Sequence, residues 1–562
     1  MSDASSTLVP SPASGGLLAS LDPLLRPWLP RQRWFAGKGR PVTGFTLVAA
    51  TELLPPGPPG RPKPDSPGLL HLLVRAQQPA GPGPGAATDP GDTYQLLIGV
   101  RRTLPPRLAP ALIGRPADGP LAGQAVYDAL HDARLTEVLL ERLRLPGRLG
   151  ALRFARAGQG DIPAGLPARV LGAEQSNSSL VYGERLILKL FRRVVPGVNP
   201  DLELPRALAA GRSTRVPAPL AWLEADGGAE PLVLGVLQPF LRGCDDGWEL
   251  ALGALARGED FSGEARALGR ATAEVHAALA EALPTVTLGP ARLAALAAQM
   301  TERLDAAAQA VPALHRHVPG LRTAFEAMAD PSLAGTSLTA QRVHGDLHLG
   351  QCLRGPDGHW SLIDFEGEPV KPLAERRLPQ PPVRDVAGML RSFDYAARSH
   401  QPWAPEWADR CRDAYCAGYA EAHGRDPRDE PVLLRAFETD KAVYEALYEA
   451  RHRPDWLPVP LAAVERLGRP RPGRGARRHR RPARPRPGLT GRLPPPPLPC
   501  PAPLAGRAGP RRSGPPRRRP PPLPTRPAPA RPRAGPPPTV PTEALPVTPR
   551  PPAPEPSDAA EP

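Results

Sequence analysis

The order of apolar and polar positions divides the chain into a sheet-like first half, a helical second half and a tail without pattern. From Phe45 to Val100, runs such as FTLVAATELL, GLLHLLVRAQ and TYQLLIGV are separated by Pro/Gly-rich stretches at 55–68 and 79–92. Short apolar runs bounded by turn formers predict an antiparallel sheet with exposed loops. Leu121 to Leu145 repeats apolar residues at spacings of three and four, which predicts a helix. Alternation returns in RVLGAEQSNSSLVYGERLILKLFRRV, from Arg169, and in a hairpin over 217–241. Beyond it the period is helical, through 265–279, 291–329, 383–397 and 403–467. The expected organisation is α+β and bilobal: an N-terminal cap over 1–112, a mainly antiparallel N-lobe over 113–241 and a helical C-lobe over 242–467.

The helical half is interrupted from Gln341 to Glu368 by QRVHGDLHLGQCLRGPDGHWSLIDFEGE. Apolar residues flank the HGDLH loop and fill WSLIDF, so the polar side chains sit on a packed hairpin. Three of them suit phosphoryl transfer. Asp346 can orient a substrate hydroxyl and accept its proton. Gln351, five residues on, offers a carbonyl oxygen to Mg²⁺, and Asp364, after the next strand, offers a carboxylate to the same ion. Magnesium takes hard oxygen ligands, few of them from protein. Kinase-type catalysis is mostly positioning plus charge neutralisation. Zinc on His344, His348 and Cys352 fits worse, because Gly345 and Gly350 argue against a helix that would bring all three to one face. Asp385, at the start of the next helix, is expected to cap or brace the loop.

The nucleotide side reads less sharply. Ser176, Asn177, Ser178 and Ser179 fall in a polar turn, where amides and hydroxyls can cradle ATP phosphates, but no GxGxxG is present. Lys189 lies between apolar neighbours in LILKLF, where a lysine is costly unless paired. Its expected partners are ATP phosphates and a helix carboxylate, assigned to Glu203 with Asp201 as the alternative. Gln238 and Phe240 mark the join between the lobes, where backbone groups can read adenine. Near the start, RQRWFAGKGRP encloses Trp34 and Phe35: either an anchor for the first sheet or a phosphate or sugar contact through Lys38 and Gly39. Near the end, Asp440, Lys441, Tyr444, Glu445, Tyr448 and Arg451 recur at helical spacing before Trp456. Such a stripe is a salt-bridged exposed helix or, with its aromatics, a carbohydrate surface.

Charge changes the picture in one respect. The net +15 belongs to the tail: residues 468–562 hold 20 Arg against 4 acidic groups, whereas the first 467 residues hold 51 basic and 52 acidic groups. The body is therefore not expected to bind nucleic acid. Only five lysines accompany 66 arginines, which draws attention to Lys189 and Lys441. Five cysteines make no metal or disulfide pattern, and no apolar run approaches a membrane span, so a reducing, cytoplasmic setting is expected.

Taken in order, RWFAGKGR, HGDLHLGQ with LIDFEGEP, and DKAVYEALYEARHRPDWLPVPL resemble the actinobacterial maltokinases, over about residues 20–467. HGDxH alone resembles the broader aminoglycoside-phosphotransferase branch of the protein-kinase-like superfamily. The resemblance implies a bilobal kinase-like fold with an N-terminal cap. It also implies ATP-dependent phosphorylation of the anomeric hydroxyl of maltose, giving maltose 1-phosphate for α-glucan synthesis. By position it makes Asp346 the catalytic base, Gln351 and Asp364 the magnesium ligands and Lys189 the phosphate lysine. His348, Asp440, Lys441, Tyr444, Glu445, Arg451 and Trp456 become the candidate sugar contacts. Two departures from the protein-kinase pattern stand out: Gln351 replaces Asn, and Glu366 replaces Gly after Phe365.

Other alcohols (an aminoglycoside, choline, another sugar) are the rival substrates, and a non-catalytic kinase fold tethered to nucleic acid by its tail is the rival class. The tail is dominated by Pro, Arg, Gly and Ala, with no Asp or Glu before Glu543. That composition is expected to be disordered, with polyproline II segments. An RNA- or membrane-binding tail, a linker and an out-of-frame extension of a GC-rich gene all fit it. The abrupt change after VERL favours the last, and no function is assigned.

Overall fold

The computed structural model describes residues 12–55, 66–79, 91–158, 160–172, 176–330, 338–369 and 371–469. The expected tail lies outside them, apart from its first two residues. A helix, Pro12–Trp28, precedes a six-stranded antiparallel sheet. Its strands run Gly44–Leu54, Gly68–Gln77, Thr93–Arg101, Ala125–Asp128 and Leu112–Gly114 in spatial order, with Arg193–Val194 added beside Thr93 and Tyr94. The cap sheet thus continues past residue 112. The helix expected over 121–145 is correspondingly shorter: Ala125–Asp128 is a strand, and the helix is Ala133–Arg144. Asp132 sets that start by accepting from the Arg134 amide at 3.1 Å, leaving too few residues before it for another turn.

Both faces of the cap sheet are buried, which explains its nearly unbroken apolar runs. Leu70, Leu72, Val74, Leu96 and Ile98 pack with Leu21, Leu25 and Trp28 of the first helix and with Trp34 and Phe35. Leu69, Leu73 and Leu97 join the N-lobe core instead. Trp34 and Phe35 are therefore anchors, while Lys38 is exposed.

The N-lobe core is built on a seven-stranded antiparallel sheet in which Leu186–Phe191 lies between Asn177–Tyr182 and Leu232–Pro239. One polar pair joins the sheets. Gln95 donates to the carbonyls of Phe191 (2.9 Å) and Leu234 (2.8 Å), and its Oε1 meets His71 Nε2 at 2.9 Å.

The C-lobe is helical. Ser262–Ala282 and Pro405–His423 cross at two glycines: a Cβ on Gly269 would stand 2.1 Å from the Tyr415 carbonyl oxygen, and one on Gly418 1.9 Å from that of Arg266. Only glycine permits this approach, and it brings His276 against Tyr419. No described helix is long and apolar enough to cross a membrane.

His71 generates a stability prediction. Burial lowers its pKa to about 4, against a smaller opposing effect of the Gln95 contact. The unfolded chain, near 6.5, therefore takes up a proton that the folded chain refuses. Stability from this source is complete above about pH 6.5 and is lost as pH falls toward 4, by up to about 3 kcal/mol. Urea midpoints of the wild type are expected to fall across that window more steeply than those of His71→Gln.

Candidate active site

The HGDLH loop is held from behind by one carboxylate. Asp385, in the first turn of the Val383–Ser399 helix, accepts from the amides of His344 and Gly345, each at 2.8 Å. It also meets His276 Nε2 at 3.0 Å, and His276 Nδ1 meets the Tyr419 hydroxyl at 2.9 Å. Burial opposes the charge on Asp385, but the His276 contact and the loop amide outweigh it and hold the carboxyl below its usual range. His344 donates from Nε2 to the Ile363 carbonyl at 2.9 Å, which ties the loop to the strand end bearing Asp364. Gly345 has φ +85°, and a Cβ there would lie 3.3 Å from the Gly367 Cα.

Asp346 lies on this loop against the Pro431–His452 helix. Its Oδ1 accepts from Lys441 Nζ at 2.9 Å, and the same ammonium reaches Glu368 at 3.4 Å. Glu368 also pairs with Lys371 (2.8 Å) and Arg384 (3.0 Å). Against its burial, these cations hold it far below the ordinary carboxylate range. Asp440 takes both arms of Arg303 at 2.9 Å. The cleft among Asp346, Glu368, Arg384, Asp440, Lys441 and Tyr444 measures about 40 Å³, room for a few waters rather than a sugar ring.

On the other side of the loop, Lys189 Nζ meets Asp364 at 2.5 Å, Glu366 at 2.7 Å and Asp201 at 2.9 Å. Oxygens of these three carboxylates lie within 4.8 Å of one another. Burial works against the charge of both Asp364 and Glu366; Lys189 overcomes it at Asp364, whose pKa falls, and does not at Glu366, whose pKa rises. Gln351 Nε2 donates to Asp364 at 2.8 Å, while its Oε1 is buried without a hydrogen-bond partner. An orphaned amide oxygen beside a carboxylate is the hard-donor pair that Mg²⁺ takes, so the residues fit that ion. Asp364 has φ +66°, a left-handed conformation uncommon outside glycine and concentrated at functional sites.

This bilobal arrangement has relatives. Residues 28–132 match the maltokinase N-terminal cap domain, and residues 167–428 match the phosphotransferase enzyme family known as APH. A glucosamine kinase of Streptacidiphilus jiangxiensis is 34% identical over 315 residues, 51% of this chain and 70% of its own. Another, of Mycolicibacterium smegmatis, is 30% identical over 321 residues, 53% of this chain and 79% of its own. The chain belongs to the APH phosphotransferase family. A solved glucosamine kinase in complex with glucosamine, ADP and inorganic phosphate superposes with a TM-score of 0.56 at 25% identity, covering 82% of this chain and all of its own.

In this phosphotransferase the structure gathers some of the sequence-predicted residues and disperses others. Asp346, Asp440, Lys441 and Tyr444 share the cleft, and Asn177, Lys189, Gln351 and Asp364 share the cluster. Glu203 is a correction. It pairs with Arg342 at 2.6 Å, and the helix carboxylate on Lys189 is Asp201. Two residues along a helix is about 200° of rotation, so both cannot face the same strand. Glu445 turns into the C-lobe onto Arg391 at 2.7 Å, Arg451 is exposed away from the cleft, and Trp456 is buried, stacked on Tyr395. One helical face does not hold all the residues expected on it. His348 is half-buried, and its Nδ1 accepts from the Gly350 amide at 3.1 Å, capping a short turn.

The polar turn also shifts. Asn177, Ser178 and Ser179 lie within a strand, with Ser178 accepting from Arg192 at 2.8 Å, and Ser176 just precedes it. Glu174 lies outside the described residues. Phe240 donates its amide to the Arg185 carbonyl (2.9 Å) and Gln238 donates its side chain to that of Pro217 (3.0 Å). Sequence reasoning noted Glu366 only as a departure from the protein-kinase pattern and gave no role to Glu368, His276 or Arg303. The first two were visible as a surplus of acid in DFEGE. The other two carry no local signal.

Asp385→Asn is expected to lower the free energy of unfolding by about 2–4 kcal/mol, because a neutral amide cannot satisfy two loop amides and His276 together. Paired urea denaturation of the variant and wild type checks this.

Proposed function

We propose that the chain transfers the γ-phosphoryl group of ATP to the anomeric hydroxyl of maltose, yielding maltose 1-phosphate and ADP. The observation that supports the transfer chemistry is that Asp346, paired with Lys441 in the cleft, sits on the loop that the His344–Ile363 bond ties to the strand end bearing Asp364 of the Lys189 cluster. Asp346 orients the sugar hydroxyl and accepts its proton as the oxygen attacks phosphorus in line. Lys189 stabilises charge on the phosphate oxygens. Gln351 Oε1 and Asp364 would hold Mg²⁺, which supplies charge neutralisation. Sugar entry requires the cleft to widen, with Lys441 the side chain that must yield at Asp346.

Maltose is favoured over a cationic sugar by two supports. Residues 28–132 match a maltokinase cap. In addition, Glu368 and Asp440, which flank Asp346 in the cleft, are already paired with lysine or arginine. A sugar ammonium needs an uncompensated carboxylate, whereas alternating charges suit neutral hydroxyls. Glucosamine is the second reading, favoured by the names of the relatives that are 34% and 30% identical.

ADP release by the full chain with MgATP, compared across maltose, glucosamine, glucose, trehalose, choline and kanamycin, separates these readings. The expected outcome is turnover with maltose and little with the others. Preferred turnover of glucosamine would keep the mechanism and replace the substrate. Asp346→Asn is expected to lower kcat by roughly 10²–10⁴-fold while leaving calorimetric ADP binding close to wild type. A kcat near wild type would remove Asp346 from its role.

A further inference from the structure

Asp364 is followed by Phe365 and Glu366, and Glu366 touches two neighbouring strands of the N-lobe sheet. Its Oε1 lies 2.7 Å from Lys189 Nζ and 2.6 Å from Asn177 Nδ2. The strands Asn177–Tyr182 and Leu186–Phe191 pair with Lys189 opposite Ser179 and Phe191 opposite Asn177. Lys189 and Asn177 are therefore diagonal neighbours on one face of the sheet, the separation at which two donors can share a single acceptor. A carboxylate oxygen and a phosphate oxygen are acceptors of the same kind for an ammonium and an amide.

We propose that Glu366 is a positioning residue that competes with the nucleotide's phosphates for Lys189 and Asn177, and so sets nucleotide affinity. The proposal rests on the reading of this cluster as the nucleotide-phosphate site. Three features make such an exchange feasible. Lys189 keeps Asp201 and Asp364 when Glu366 leaves, so its charge is never stranded in the interior. The Glu366 main chain is pinned independently, its carbonyl accepting from Arg376 Nη1 at 2.9 Å, so the side chain can swing while the loop stays. Phe365 is likewise fixed, its amide donating to Asp201 at 2.7 Å. Protein kinases carry glycine at this place, which offers no such competitor.

The carboxylate grouping allows an opposed role, in which Glu366 binds a divalent cation beside Asp364 and Asp201. The two roles predict opposite signs. Calorimetric titration of the full-length protein with ADP, in EDTA and again with magnesium, distinguishes them. Competition predicts that Glu366→Gln lowers the Kd for ADP in EDTA by roughly tenfold, with KM for ATP falling more than kcat changes. Glu366→Ala, which removes the group altogether, must act in the same direction. An unchanged or raised Kd in EDTA, or a weakening confined to magnesium, would overturn the proposal. Failure of the wild type to bind ADP under either condition would remove the nucleotide-site reading itself, a different result from wild-type binding that the variants leave untouched.

Discussion

One ammonium group orders the centre of this protein. Lys189 projects from a strand of the N-lobe into three carboxylates, one from the Pro200–Ala210 helix and two from the loop that ends the C-lobe hairpin. An isolated charge at that depth is costly, and three acids without a cation are costlier still, so each side is stable only with the other in place. The ion cluster therefore fixes the N-lobe strand, the helix and the C-lobe loop relative to one another. Asp201 extends this by accepting the Phe365 amide, so helix, strand and loop are tied through two bonds to one carboxylate.

A second buried carboxylate does for the HGDLH loop what Asp201 does for the loop that bears Asp364 and Glu366. Asp385 takes two loop amides and is itself held by His276, whose position depends on the glycine crossing of two C-lobe helices. The line runs from packing to chemistry: a close helix approach places an imidazole, the imidazole steadies a carboxylate, and the carboxylate shapes the turn that presents Asp346. Polar groups this far inside are stable because each has a partner, and that mutual dependence makes the loop rigid.

The sugar side has a different electrostatic character. Acids and bases alternate around Asp346 with none left over among the residues that line the cleft, which suits recognition of neutral hydroxyls by paired donors and acceptors. That balance, with the cap match, draws the substrate reading toward maltose, while the names of the relatives draw it toward glucosamine. The phosphotransferase family is common to both readings.

How much of this was legible beforehand follows the range of each interaction. The two lobes, the cap, the hairpin that carries the HGDLH loop and the closeness of Gln351 to Asp364 were readable because hydrophobic period and motif spacing are local properties of the chain. The strand at Ala125–Asp128 was not, since short apolar runs suit helix and strand equally until a partner strand is present. Choosing Asp201 over Glu203, turning Glu445 and Trp456 away from the cleft, and joining Arg303 to Asp440 were decided only by tertiary packing. A helix exposes every side chain at some angle, and which angle faces the site depends on neighbours far away in sequence. The sequence by itself determined the chemistry that is present; the folded structure decided which groups stand close enough to share a proton, a phosphate or a charge, because those energies fall off within a few ångströms.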